Sequence, residues 1–168
     1  MSTKTALAHY EGTGLRFSVK TGSGHDLVVD NAEGNAGPRP AELVAVGLAG
    51  CTAMDVISIL QKKRQTVTGY EVSVSAEQRE VAPNIFITAD VLHIVHGPAV
   101  DEAAVKRAIE LSASKYCSVG ATLAAGPVRL CHRYRIVSPD GGLTEGEVLV
   151  EGPLADPDKM GQAASSPA

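Results

Sequence analysis

The first third of the chain is divided into short apolar segments by glycine-centred turns. Runs of this kind are typical of half-buried β-strands, and glycines between them allow turns with positive φ. The pattern predicts three strands, at residues 5–10, 15–20 and 26–29. A loop rich in Asn, Gly and Pro, residues 31–40, ends the segment.

The next segment is almost uniformly apolar and predicts a long helix that begins at Pro40 and ends near Lys63. Proline suits the first helical turn because its missing N–H is not needed there. Glu42 lies at the positive end of the helix dipole, and a basic run ending at Arg64 lies at the negative end. Since apolar residues occur on nearly every side of this helix, we predict that other elements enclose it.

Two glycines and one aspartate interrupt the large apolar side chains of this helix. Gly47 and Gly50 each weaken the helix by about 1 kcal/mol relative to alanine, which indicates close backbone contact with another element. Asp55 interrupts the apolar run before it reaches the length of a membrane span, so a soluble helix is predicted.

The rest of the chain alternates between strand-like and helix-like segments. Asp101 is the predicted N-cap of a second helix, residues 102–116, and Pro139 lies in a turn near the end. Further strands are predicted at residues 71–76, 85–95, 128–137 and 145–150. Strands in groups with two inserted helices predict an α+β fold.

Composition excludes several classes of protein. The 168 residues carry 15 Lys and Arg against 19 Asp and Glu, a net charge of −4 that offers no basic surplus for nucleic acid. The N-terminus has neither the apolar region nor the cleavage site of a signal peptide. Three cysteines are too few for a secreted disulfide framework, so we expect a cytoplasmic protein with free thiols.

The cysteines are the chief candidates for chemistry. Cys51 lies in the apolar helix, Cys117 at the end of the second helix, and Cys131 in a predicted strand. A single buried cysteine usually behaves as a small hydrophobic residue. Two thiols at helix positions could instead form a redox pair, one attacking as thiolate and the other resolving the sulfenic acid. Composition and spacing leave both alternatives open.

Other chemistries find little support in the sequence. His93 and His96 are three apart on a predicted strand and therefore point to opposite faces. Cys131 and His132 are adjacent and also diverge, and no CxxC or HxxxH spacing occurs, so no metal site is predicted. The sequence lacks the Gly-x-Ser-x-Gly of a serine hydrolase, and its glycine pairs do not precede a helix as in a dinucleotide site.

Three segments carry a family likeness. They read Gly-Pro-Arg-Pro-Ala-Glu-Leu at residues 37–43, Gly-Cys-Thr-Ala-Met-Asp at 50–55 and Ala-Ser-Lys-Tyr-Cys-Ser-Val at 113–119. In these motifs the sequence resembles the OsmC/Ohr family, the osmotically inducible and organic hydroperoxide resistance proteins. The resemblance implies an OsmC-like domain over residues 1–137, followed by an extension, 138–168, whose end from residue 153 is predicted to be a loose tail.

The resemblance also implies architecture and activity. It implies an intertwined α+β homodimer of antiparallel sheets around a long central helix. Cys51 would attack an organic hydroperoxide, Cys117 would close a disulfide, and a thiol or dithiol reductant would restore both thiols. No cofactor is implied. An OsmC-fold protein that binds a small apolar ligand, or senses redox state, without efficient turnover is the alternative, and an inert dimeric scaffold is a third hypothesis.

The sequence departs from the family near the first cysteine. Active members pair this cysteine with an Arg and a Glu, and the Glu position corresponds to Ala41 here, with Glu42 one residue on. Asp55 lies one helical turn after Cys51, where a carboxylate disfavours the thiolate unless a cation offsets it. Arg39 and Arg16 are the candidate cations. Arg39 and Glu42 therefore join the two cysteines as predicted site residues.

Overall fold

The computed structural model of the protein describes residues 3–151, with side chains described through residue 148. The chain divides into two compact units, Met1–Val44 and Ala45–Ala168. The elements are β1 (Ala6–Tyr10), β2 (Phe17–Thr21), β3 (Asp26–Val29), α1 (Pro40–Lys62), β4 (Gly69–Gln78), β5 (Phe86–His96), α2 (Glu102–Leu111), a π-helical turn (Ser112–Tyr116), α3 (Ser118–Ala124), β6 (Arg129–Val137) and β7 (Leu143–Glu151). The predicted α+β class is confirmed.

The first unit contains a three-stranded antiparallel sheet in the order β1-β2-β3. Gly12 and Gly24, at φ 84° and 89°, form the turns between its strands, where a side chain would be strained. The second strand begins at Phe17, two residues later than predicted, and Phe17 pairs with Tyr10 across the β1–β2 ladder. Their rings lie 5.4 Å apart.

The second unit contains a four-stranded sheet in the order β4-β5-β6-β7. The pairing of β5 with β6 is parallel, so this sheet is mixed and the expectation of antiparallel sheets holds only in part. A parallel pair needs a crossover connection, and α2, the π-helical turn and α3 provide it. Strand β7 pairs with β6, so the C-terminal extension adds a strand to the sheet. The predicted loose tail, residues 153–168, lies outside the described residues.

Helix α2 is shorter than predicted. Asp101 is its N-cap, as predicted, and the carboxylate accepts the Ala103 N–H at 3.0 Å. The helix ends at Leu111, where the expected continuation to residue 116 becomes a π-helical turn. In this turn the Cys117 N–H donates to the Ser112 carbonyl, five residues earlier, at 2.8 Å. A single π-helical turn spaces its apolar residues almost as an α-helix does. The periodicity of apolar residues in the sequence therefore does not reveal the π-helical turn.

Helix α1 presents two opposite faces. Leu48, Thr52, Val56 and Leu60 recur every fourth residue and are buried. Val46, Gly50 and Met54 form the opposite stripe, defined here as the open stripe, and Val46 and Met54 are 61% and 73% exposed. Within the described residues the predicted enclosure of the helix is therefore incomplete, because the open stripe stays exposed while most other positions are at least partly buried.

The glycines of α1 differ in their surroundings. A Cβ on Gly47 would only touch Val119, at 3.9 Å, and one on Gly50 would meet no atom within 4 Å. Among the residues that the structure describes, none makes the predicted close backbone contact at Gly50. Helix α1 is long and apolar enough to cross a membrane by length and composition, a test that core helices of soluble proteins also pass.

Candidate functional site

Two predicted thiols and one carboxylate lie together in the second unit. The sulfur atoms of Cys51 and Cys117 and a carboxylate oxygen of Asp55 all lie within 4.8 Å of one another. We call these three residues the thiol cluster. The structure thus brings together residues that are 66 positions apart in the sequence, and it places Asp55 beside Cys51, as the helical spacing predicts.

The local structure around Cys117 fixes its sulfur. The π-helical turn ends at Cys117, whose extended backbone makes it the N-cap of α3. Its Sγ accepts the Gly120 N–H at 3.2 Å. A Cβ on Gly120 would lie 3.2 Å from this sulfur and 3.6 Å from Leu48, so glycine lets α3 pack closely against the thiol.

The two thiols have different surroundings. Cys117 is 2% exposed and belongs to an apolar core cluster that includes Leu48, Val91 and Leu130, whereas Cys51 is only partly buried. Burial raises the pKa of the Cys117 thiol to about 12, and a hydrogen bond with Cys51 adds to this rise, while the Gly120 N–H opposes it. Cys117 is therefore a protonated thiol at neutral pH, and Cys51 is the more accessible of the two.

The carboxylate of the thiol cluster accepts a hydrogen bond from a serine hydroxyl, which in turn contacts a threonine hydroxyl. The Ser112 hydroxyl donates to Asp55 Oδ2 at 3.0 Å, and the Thr52 hydroxyl lies 3.2 Å from Ser112 Oγ. Thr52 and Ser112 are fully buried. Because Ser112 begins the π-helical turn and Cys117 follows its last residue, one irregular turn positions both a thiol and the partner of the carboxylate.

The predicted cations have partners in the first unit. Arg16 pairs with Glu11 at 2.8 Å, and Arg39 pairs with Glu42 at 3.1 Å. Glu42 also accepts the Arg39 backbone N–H at 2.9 Å, which caps the start of α1. The expectation that Arg16 or Arg39 offsets Asp55 stays a prediction, which these local ion pairs do not test. The assignment of Arg39 and Glu42 to the reactive site stays a prediction.

A largely buried hydrogen-bonded chain in the second unit was not predicted from the sequence. The Tyr70 hydroxyl lies 2.7 Å from His93 Nδ1, and His93 Nε2 lies 3.1 Å from His132 Nδ1. Burial, and secondarily the charge of His132, lowers the pKa of His93 to about 3, and burial lowers the pKa of His132 to about 4. Burial raises the pKa of Tyr70, and the charge of Asp55 adds to this rise.

The third cysteine lies outside the thiol cluster, and a pocket opens beside the carboxylate of the cluster. Cys131, on β6, is free, only partly buried and outside the thiol cluster. A pocket of about 280 Å³ opens beside the carboxylate. It is lined by Asp55, Ser58, Ile59, Lys62, Leu111 and Tyr116.

The site thus pairs a buried thiol with a more accessible one in an α+β fold. The model of the family described as OsmC-like protein matches residues 32–130. Protein YhfA of Escherichia coli strain K12 is 43% identical over 125 residues, covering 74% of this chain and 92% of YhfA. The chain therefore belongs to the OsmC-like family, and the resemblance noted in the sequence is confirmed.

Solved structures agree with this assignment. A hypothetical protein from Aquifex aeolicus VF5 has a TM-score of 0.70 at 27% identity, covering 81% of this chain and 97% of that one. An organic hydroperoxide resistance protein OsmC from Legionella pneumophila has a TM-score of 0.55 at 17% identity, covering 82% and 98% of the two chains. The second likeness concerns the fold alone.

Proposed function

We propose that the protein is a thiol peroxidase that reduces organic hydroperoxides. The single observation that carries the proposal is the placement of Cys51 and Cys117 in one cluster, with their sulfurs within 4.8 Å. Membership of the OsmC-like family supports a redox or stress-defence role, and the Legionella protein of this fold is described as a hydroperoxide resistance protein.

The proposed reaction has two steps in the protein. The Cys51 sulfur attacks the hydroperoxide, the O–O bond breaks, and the products are an alcohol and a sulfenic acid on Cys51. The Cys117 sulfur then attacks the sulfenic sulfur, an S–S bond forms and water leaves. In sum, one hydroperoxide takes two electrons and two protons from the thiols. A thiol or dithiol reductant returns them.

The surroundings favour this division of roles. Cys51 is the thiol that a substrate can reach, whereas Cys117 is enclosed and protonated. A protonated resolving thiol brings the proton that the departing water needs. We propose a cytoplasmic location, where reductants keep such thiols available.

A consumption assay tests the proposal. Purified protein is given an organic hydroperoxide with a dithiol reductant, and its cysteines are mapped by mass spectrometry after a single exposure without reductant. We expect catalytic consumption and a Cys51–Cys117 disulfide within one chain, with Cys131 reduced. The Cys131→Ser variant is the matched control and should match wild type. A Cys51–Cys131 link, or no consumption, would contradict the proposal.

The open stripe of α1 leads us to propose that the protein is a homodimer. Val46, Gly50 and Met54 expose an apolar stripe on the side of α1 that the chain leaves open. A second copy of α1 could pack there closely, because Gly50 presents no side chain and the space above it is free of other atoms to at least 4 Å. Such a dimer would supply the enclosure that the apolar pattern of the helix predicts.

Light scattering at micromolar concentration tests the dimer. We expect wild type to have twice the mass of one chain. A Val46→Glu, Met54→Glu double variant should shift toward the monomer, because two charges would be buried without partners. Val81 is 73% exposed in a loop, so Val81→Glu is the control and should stay dimeric. A monomeric wild type would refute the proposal.

A second candidate function is binding of a small apolar ligand without turnover. The first unit has a pocket of about 470 Å³ that favours it. Its lining includes Leu15, Phe17, Val29, Pro40 and Ala41. A protein that retains an apolar ligand but consumes no hydroperoxide would support this alternative.

A further inference from the structure

We propose that the reduced thiol cluster is a binding site for a thiophilic divalent metal ion such as Zn²⁺, held by Cys51, Cys117 and Asp55. Two sulfurs and one carboxylate oxygen, all within 4.8 Å of one another, form a mixed S₂O ligand set. This proposal does not require the protein to be a peroxidase. It assigns a second chemistry to the reduced thiols.

The size of the cluster suits zinc. Zn–S bonds of about 2.3 Å and Zn–O bonds of about 2.0 Å in a tetrahedron place neighbouring ligand atoms roughly 3.5–3.8 Å apart. The thiol cluster reaches this geometry with small side-chain movements from separations of at most 4.8 Å. Three protein ligands leave the fourth position to water or an external ligand, as in open zinc sites.

The ligands already have supporting hydrogen bonds. Ser112 donates to Asp55 Oδ2, and the Gly120 N–H donates to Cys117 Sγ. Such outer contacts orient metal ligands and stabilise their charged forms. The Ser112 hydroxyl donates one hydrogen bond to Oδ2, and a carboxylate has further lone pairs with which it can coordinate a metal.

Charge and access also fit a cation. Two thiols and a carboxylate are three acids in one cluster, and a divalent cation would offset two of the three negative charges of their deprotonated forms. The pocket of about 280 Å³ beside Asp55 offers a path from solvent. The sequence did not predict this site because its ligands come from α1 and from the crossover, far from any CxxC spacing.

Metal binding would change the reactivity of the thiols. A bound metal holds both sulfurs as thiolate ligands and engages the electron pairs that would attack an electrophile. The loaded protein should therefore be protected at Cys51 and unprotected at Cys131, which lies outside the cluster.

The binding test titrates full-length reduced protein with Zn²⁺ in competition with a chromophoric chelator. We expect one ion per chain for wild type and for the Cys131→Ser control. Loss of an outer-shell partner costs about 10–100-fold in metal affinity, so Asp55→Asn and Cys51→Ser should each lose at least that much. Equal affinity in Asp55→Asn and wild type, or loss of binding in Cys131→Ser, would overturn the proposal.

A second measurement uses wild type alone and so does not depend on the folding of a variant. Zn²⁺ should slow maleimide alkylation of Cys51, the accessible thiol of the cluster, at least tenfold and leave Cys131 unchanged, as read by mass spectrometry. Equal slowing at Cys51 and Cys131, or at neither, would refute a site at the cluster. Both measurements are independent of peroxidase activity, so failure of one proposal is distinguishable from failure of the other.

Discussion

The Cys51→Ser variant is expected to lose hydroperoxide consumption by roughly 10⁴-fold or more, the loss typical when an enzyme nucleophile is removed. A serine hydroxyl at this position cannot take oxygen from the substrate to give a sulfenic acid. The Cys117→Ser variant should behave differently, because Cys51 can still perform the first step. It should consume one equivalent per chain to form the Cys51 sulfenic acid, take up a second equivalent more slowly as that acid becomes sulfinic acid, and then stop.

The two variants are compared with Cys131→Ser in the same assay. Burst size per chain is measured first, followed by turnover with a dithiol reductant. Mass spectrometry then locates the added oxygen. If Cys117→Ser turns over like wild type, the reductant resolves Cys51 directly and Cys117 has no resolving role. If Cys51→Ser retains activity while Cys117→Ser loses it, the two roles are reversed.

The elements with strong local signals were predictable from sequence. Helix α1 begins at Pro40 and ends at Lys62, within a residue of the prediction, because proline, charge and apolar composition all act locally. Strand β3 matches its prediction, Asp26–Val29, since turn residues lie on both sides. The N-cap at Asp101 also depends on neighbouring residues alone.

The parts that depend on tertiary packing were not predictable. Parallel pairing of β5 with β6 follows from how the crossover packs, and no local pattern specifies it. The same pairing brings His93 and His132 together, although their positions in the sequence suggest nothing more than isolated histidines. The π-helical turn likewise becomes visible only through the long hydrogen bond from Cys117 to Ser112.

The thiol cluster lies between these two cases. The family motifs single out Cys51 and Cys117, and helical spacing predicts that Asp55 lies beside Cys51. The role of Ser112 was not predictable, because a serine 57 residues from Asp55 carries no signal of its own. The pairing of Arg39 with Glu42 is local, and it caps α1 whether or not those residues also act on a substrate.

Acid should destabilise the protein strongly through the buried histidine pair. His93 and His132 are 0% and 1% exposed, and their folded-state pKa values are about 3 and 4. In the unfolded chain both return to a pKa of about 6.5, so below that pH the unfolded state binds more protons than the folded state. The stability that the neutral histidines contribute is therefore complete above pH 6.5 and is lost as pH falls.

The loss in the free energy of unfolding depends on how many protons His93 and His132 take up when the chain unfolds. Each histidine lowers the free energy of unfolding by about 1.4 kcal/mol per pH unit, so between pH 6.5 and 4.5 the pair removes about 5 kcal/mol. That is a large part of the roughly 5–15 kcal/mol that is the free energy of unfolding of a typical domain.

Urea unfolding at a fixed protein concentration, repeated from pH 7.5 to 4.5, measures the slope of the free energy of unfolding against pH. His132→Gln should halve it, because one proton fewer is taken up on unfolding. His9→Gln, on the exposed strand β1, is the control and should leave the slope unchanged. A flat wild-type profile would show that the pair takes up no protons on unfolding, and a full slope in His132→Gln would show that the acid sensitivity comes from other groups.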